Sequence, residues 1–500
     1  MGGGTTGDTW TNWAGNVTFT PLDGVREPTS EAEICAHVRD AARRRVPLRV
    51  VGHGHSWNES MAAERGIALS LRKYRRVLRI DARARTVTCE AGITLVQLCE
   101  ALDEAEPPLT LENVPVVIAV TVAGALATAA HGSGVRSQSL SAHLLGCTLV
   151  DGRGDVRTID ASHDAHLLPA VRASLGALGV FSTVTIQCVP ARTLHIAEGP
   201  MALSECVERL DELTARFAYF KAWWIPHTGC VHAFCIDDAP VPPVAQIVRA
   251  PVAAAPADGG GGGGGAGAEV VALDADATPL ATRSAFLGSR AGGAVMEGLL
   301  ALAAADPAST PLVNCALRPL LYPTLEAAES SYLVQCNEHR GSSESVGVRF
   351  QVSEFAIPAE RCASALSELV RALQAPTASG ERLYLSFPVD IRYSAADDIW
   401  LSPAHGRATA WIGIPAKRPF GRETPHAAMF AAFESIMLRH DGRPHWAKEH
   451  SIRAPQLAAL YPRWADFLAV RAHLDPAGVF LNPYLRELLG VPETLARSRM

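Results

Sequence analysis

The chain has 500 residues, of which 48% are hydrophobic and 19% charged, and its net charge is −6. That length exceeds one compact core and implies two domains, and the composition excludes a disordered chain. With no basic tail or basic stripe a nucleic-acid partner is excluded, and the longest apolar stretch, 291–305, is broken by Glu297 and falls short of the ~20 residues of a membrane span. A buried or interfacial helix is expected there instead, with membrane association absent or peripheral.

The N-terminus has no charged region followed by an apolar core, so no secretory signal is expected; Gly2 and Thr6 match a myristoylation pattern weakly. Residues 29–45 predict a helix, with Ser30 as cap, acids in the first turn and arginines in the last. "VPLRVVG" then reads as a buried strand, "YRRVLRIDARARTVTCEAG" as a hairpin and "TLVQLCEALDEA" as a short helix. "GCTLVDGRGDVRTID" predicts a hairpin about Asp151-Gly152, and "GALGVFSTVTIQCVPA" a glycine turn followed by a strand. A second α+β region begins near 193, with strands in "YFKAWWIPHTGCVHAFCID", "SVGVRFQVSEFAIP", "LYLSFPVDIRYS" and "ATAWIGI". Two helices belong to it: one with Cys362, Leu366, Leu369 and Leu373 on a single face, and one in "AAMFAAFESIMLRH". Gly259 to Gly265 are consecutive glycines, which predicts a flexible insert at about 250–268. Eleven scattered cysteines without metal spacing suggest reduced core thiols, a disulfide being the alternative. The final tripeptide, Ser498-Arg499-Met500, is a variant of the S-K-L peroxisomal address.

Chemistry concentrates in three glycine-bearing loops. The first is "VGHGHSWN", carrying Gly52, His53, Gly54, His55 and Ser56. It is not a dinucleotide fingerprint, because the third glycine position is Trp57 and a strand precedes it without a helix following. A metal site is not expected, since no third ligand stands at a familiar spacing. The second run, "VAGALATAAHGSG", holds Gly124, His131, Gly132, Ser133 and Gly134, and the third holds Gly176, Gly179 and Val180. Three such loops let backbone lie close to one large ligand, and their N–H groups can bind a pyrophosphate.

These segments resemble the flavin-dependent aldonolactone oxidases of the vanillyl-alcohol-oxidase type, which include L-gulonolactone oxidase, D-arabinono-1,4-lactone oxidase and the related alditol oxidases. The resemblance extends through "NWAGNVTF", "YFKAWWIPHT", "SEFAIP", "FPVDIRY", "DDIWLSP", "RPHWAKEH" and "LDPAGVFLNPYL". It implies an α+β flavoprotein: a two-subdomain FAD-binding domain of the PCMH type at 12–192, and a substrate or cap domain on an antiparallel sheet at 193–454. Residues 455–490 would return to the first domain, leaving 491–500 as a tail.

The resemblance also implies FAD bonded covalently through His55, with Gly52, His53, Gly54 and Ser56 around it. Gly124, His131, Gly132, Ser133, Gly134, Gly176, Gly179 and Val180 would bind the rest of the cofactor. The reaction implied is hydride transfer from a secondary alcohol of an aldono-1,4-lactone to flavin N5, giving ascorbate or an analogue, with O₂ reduced to H₂O₂. Cytochrome c as acceptor and an open-chain alditol as substrate are the alternatives. The resemblance places Pro115 beside the flavin C4a edge, which favours O₂, and Val116 lacks the hydroxyl of the alditol oxidases, which argues for a lactone over an open-chain polyol. The Glu-x-Arg motif of the family appears here as Asp390-Ile391-Arg392, and His-Trp-x-Lys as His445 to Lys448. Strand alternation puts Asp390 and Arg392 on one face. Asp390 is expected to accept the proton or orient substrate, Arg392 to stabilise the alkoxide, and Lys448 to act as a cation at a flavin or substrate oxygen. Aspartate in place of glutamate shortens the reach by about 1.5 Å, so Glu354 is a second candidate carboxylate. Trp223, Trp224 and His227 line the cavity or belong to the core.

Overall fold

The computed structural model of the protein describes residues 3–6, 9–248, 290–321, 324–336, 348–377, 380–386 and 388–493. Gly2, the seven-glycine run and the Ser498-Arg499-Met500 tripeptide lie outside the described residues.

The first helix spans Glu31–Arg44; Ser30 caps it from an extended conformation, its side chain accepting from Glu33 N. Such a cap is worth about 1 kcal/mol. Ile34, Cys35, Val38 and Ala41 form the buried stripe. The helix delivers the chain to Leu48–Val50, an outer strand of a three-stranded parallel sheet whose middle strand is Ile67–Leu69 and whose other edge is Val25–Arg26. Both predicted hairpins form, Val77–Asp81 with Thr86–Glu90 and Leu144–Val150 with Val156–Ile159. They join through Val180–Gln187 into a five-stranded antiparallel sheet.

One expectation is corrected. Residues Val122–Ala127 are not a bare loop but a short helix, capped by Thr121 Oγ1 on Gly124 N. Its alanines favour a helix once a capping threonine precedes them.

The second half is built on an eight-stranded sheet with every neighbour antiparallel. Its order is Leu325–Ser330, Thr193–Ala202, Cys230–Asp237, Tyr219–Ile225, Val389–Ser394, Thr409–Arg418, Arg349–Pro358 and Arg443–Pro444. The helices Cys362–Gln374 and Ala427–Arg439 pack together over it. The first buries the face read from the sequence. The apolar segment at 291–305 lies in a helix, Arg290–Ala305, paired with a second at Thr310–Leu321. Met296, Leu300 and Leu317 from this pair pack on Ile225 and Val348. Among the described residues no helix is long and apolar enough to cross a membrane. All eleven cysteines are free thiols, and every one but Cys315 is buried.

Near its C-terminus the chain hydrogen-bonds to the first half. Leu48 N donates to Val479 O at 2.8 Å and Gly152 N to Leu474 O at 2.9 Å. Asn482 Nδ2 donates to Glu59 O and Ala62 O, both at 2.8 Å.

Candidate active site

A cavity of about 500 Å³ opens between the loops of the first half and one face of the large sheet. Gly52, His53, Gly54, His55 and Ser56 line one part of its wall, Pro115, Gly124 and His131 another, and Gly176, Gly179 and Val180 a third. Glu354, Asp390, Arg392 and Lys448 line the same cavity from the sheet side. The fold therefore brings together fifteen of the eighteen site residues read from the sequence.

Gly132, Ser133 and Gly134 are the three placed elsewhere. Ser133 Oγ donates to Phe220 O at 2.6 Å, and a Cβ on Gly132 would fall 1.9 Å from Asn113 Oδ1. The missing side chain lets Gly132 close on Asn113 and Val114 and Gly134 on Ala218 and Tyr219 of the second half; it does not open the cavity. At Gly54 the requirement is different: φ is +73°, and a Cβ would lie 2.9 Å from the Trp10 ring. Glycine there lets the histidine loop fold under Trp10 while His55 stacks on Trp13, ring centroids 5.3 Å apart.

The cationic end of the cavity is a closed network. Glu354 is 2% exposed. Its Oε1 accepts from Arg392 Nη2 at 2.8 Å and from His131 Nε2 at 3.1 Å, and its Oε2 lies 3.3 Å from Lys448 Nζ. Arg392 Nε lies 2.7 Å from Asp390 Oδ2, as alternation along the strand requires, and Arg392 Nη1 donates to His131 O. Asp390 also accepts from Trp223 Nε1 at 3.1 Å. His131 stacks on Trp411 with centroids 3.6 Å apart.

Burial pushes the Glu354 carboxyl up, but the charges of Arg392 and Lys448 and the His131 hydrogen bond outweigh it and hold the group well below the usual carboxylate range. Burial, with Arg392 nearby, lowers His131, and burial takes His445 well below the ordinary imidazole value. Both imidazoles are thus neutral near pH 7, and the ionised carboxylate places the His131 proton on Nε2. Lys448 is lowered by burial and partly restored by Glu354. His131, Glu354 and His445 hold three ligand atoms within 4.8 Å of one another. Arg392 and Lys448 already neutralise this carboxylate, so the trio offers a divalent ion no uncompensated charge.

Of the other aromatic candidates, Trp223 lines the cavity, whereas Trp224 is core and His227 accepts from Leu385 N. Sequence reasoning assigned no role to Lys417, His445 or Arg49, all of which line the cavity. An arginine within a buried strand run was the available signal for Arg49.

The glycine-bearing wall, with its backbone N–H groups, suits an elongated anionic dinucleotide. An FAD binding domain family matches residues 22–160, the part of the chain that supplies the histidine loop and the second loop. The protein is accordingly an FAD-dependent oxidoreductase. Residues 184–252 and 267–488, more than half of the chain, match the family described as D-arabinono-1,4-lactone oxidase, to which the chain belongs. An L-gulonolactone oxidase of Scyliorhinus torazame is 30% identical over 97% of this chain and 99% of its own length. An L-gulono-1,4-lactone dehydrogenase of Mycobacterium tuberculosis is 33% identical over 96% of this chain and 99% of its own. An alditol oxidase of a Streptomyces species is 27% identical over 96% and 98%. The crystal structure of a cholesterol oxidase from B. sterolicum shares the fold, with TM-score 0.74, 17% identity and 96% of both chains covered.

Proposed function

We propose that the protein oxidises a secondary alcohol of an aldono-1,4-lactone, yielding ascorbate or an ascorbate analogue, with O₂ reduced to H₂O₂. The observation that carries this reading is the buried Glu354–Arg392–Lys448 network in the same cavity as His55. FAD, when bound, supplies the acceptor for the two electrons removed. His55 would hold it covalently, with the glycine-bearing loops against its length.

The chain's own groups do the rest. Asp390 has a side chain 24% exposed, against 2% for Glu354, and is the carboxylate more open to the cavity. Trp223 and Arg392 fix its orientation, so that it accepts the hydrogen bond, and then the proton, of the reacting hydroxyl. Arg392 and Lys448 present donors to the oxygen as negative charge develops. Glu354 is held too acidic to be an effective base at neutral pH, and holds the two cations in place.

Lactone added without oxygen should bleach the flavin absorbance, and no bleaching by gulono-, galactono- or arabinono-lactone would overturn the reading. After denaturation, a gel under ultraviolet light should show a fluorescent protein band that His55→Ala loses and His53→Ala keeps.

A second reading, a dehydrogenase that passes electrons to a cytochrome, is favoured by the name of the mycobacterial relative. Pro115 on the cavity wall supports oxygen. Stopped-flow mixing of reduced enzyme with O₂ separates them: fast reoxidation supports the oxidase and very slow reoxidation the dehydrogenase.

A further inference from the structure

The floor of the cavity has one bare position. In the large sheet Trp223 pairs with Asp390, Asp390 with Gly413, and Gly413 with Glu354. These four residues form one row across four strands, and all line the cavity. Three carry large polar or charged side chains. The fourth has none, and it lies between the two carboxylates.

The fold does not ask for glycine here. The φ of Gly413 is not among the positive values of this chain, so its backbone is open to any residue. The three atoms nearest to a Cβ built there are Glu354 Cγ, Cβ and Cδ, at 3.4, 3.6 and 3.6 Å, which is ordinary contact. Glycine inside a strand forfeits side-chain packing and costs backbone entropy, and commonly marks the close approach of a ligand or another backbone. The nearest atoms on this face belong to the Glu354 side chain rather than to another backbone. Cross-strand neighbours stand about 5 Å apart, so the two carboxylate-bearing strands lie about 10 Å apart across Gly413, with the Glu354 stem beside it and the Arg392 guanidinium joining the two carboxylates.

We propose that Gly413 is a specificity-determining residue: the bare backbone between Asp390 and Glu354 is the seat of the substrate ring. A ring lying over Gly413 has Asp390 on one side, Glu354 with Lys448 on the other, and the Arg392 guanidinium that joins the two carboxylates next to it. A methyl group on the floor lifts the ring and costs more for a substrate with a longer exocyclic arm. The inference rests on the lactone reading above.

The test is Gly413→Ala, assayed with the flavin-loaded enzyme on a five-carbon and a six-carbon aldono-1,4-lactone. The variant should keep its flavin absorbance and thermal midpoint. KM should rise about tenfold for the six-carbon lactone and clearly less for the five-carbon one, with kcat within about twofold, since one methyl in a pocket discriminates by ten- to a hundredfold. Equal losses of kcat with unchanged KM would overturn the proposal, because the glycine would then serve the placement of the Glu354 side chain. Unchanged constants would overturn it too, as would a variant that fails to fold, which would show that packing demands glycine. Failure of the lactone reading is seen separately, on the wild-type protein, as a flavin that neither lactone reduces.

Discussion

Glu354 carries the largest share of the site's electrostatics. Its two oxygens hold His131, Arg392 and Lys448, and with Asp390 the four charges sum to zero inside a buried site. Glu354→Gln removes the counter-ion while keeping the shape. Lys448 is lowered by burial, raised by Glu354 and lowered by Arg392, so without the carboxylate it loses its proton at lower pH. Flavin reduction by substrate should slow roughly 10- to 100-fold, and the alkaline limb of its pH profile should move downward. His131 and His445 stay neutral through this range, and burial brings Lys417 and Lys221 down to about 8, so it is the part of the limb that moves on losing the Glu354 charge that reports Lys448. An unmoved limb would show that Glu354 acts through shape alone. Asp390, Arg392 and Lys448 were legible only through the two short motifs of the family resemblance, since alternation alone reads Asp390 and Arg392 as a solvated charge pair. The sequence left Glu354 in a secondary place, because its centrality arises from the register of three strands, 354 against 413 against 390.

Between elements, the joint that holds the glycine wall in shape is Arg49. It stands in the strand before the histidine loop, 5% exposed. Its guanidinium donates to Ser60 O, Leu175 O, Gly176 O and Phe480 O at 2.7–2.8 Å. One side chain thus ties the strand leading to His55 to the third glycine loop and to the C-terminal segment. Arg49→Met keeps much of the volume but leaves four carbonyls without this donor, at a cost of roughly 3–5 kcal/mol. The variant should unfold at lower denaturant concentration and lose non-covalently held flavin analogues first, as urea titration and fluorescence would record. Wild-type stability would remove Arg49 from this role. Elements with local signals were legible: the Ser30-capped helix and both hairpins form where the sequence puts them. The short helices Leu203–Glu208 and Leu210–Arg216 gave no comparable signal, and the Val122–Ala127 helix was hidden by small residues suited equally to a loop. The joints between elements, Arg49 among them, depend on residues more than a hundred positions apart and leave no local pattern.

Over the whole molecule, buried neutral imidazoles set the response to acid. His450 is pushed down to about 3 by burial and the nearby Arg453 charge, and both its ring nitrogens are buried without a hydrogen-bond partner among the described residues. His227 is pushed down to about 4 by burial and by Arg382. In the unfolded chain each titrates near 6.5. Above that value both states hold the ring neutral and pH has no effect on stability through these groups. Below it the unfolded chain takes up the proton and the folded chain does not, so stability is lost as pH falls, and the loss continues until the folded values near 3 and 4 are reached. Each ring then costs about 1.4 kcal/mol at pH 5.5, so the pair costs about 3 kcal/mol. His131 and His445 add to it in the same direction. Asp397, pushed up to about 6 by burial, takes up its proton in the folded protein first and offsets part of this loss, so the thermal midpoint should be flat near neutrality and fall between pH 6.5 and 4.5. His450→Gln should flatten that fall by the share of one proton, visible as a smaller midpoint difference between pH 7 and 5 than in the wild type. A variant with the full wild-type acid slope would show that His450 takes up its proton as readily in the folded protein as in the unfolded chain.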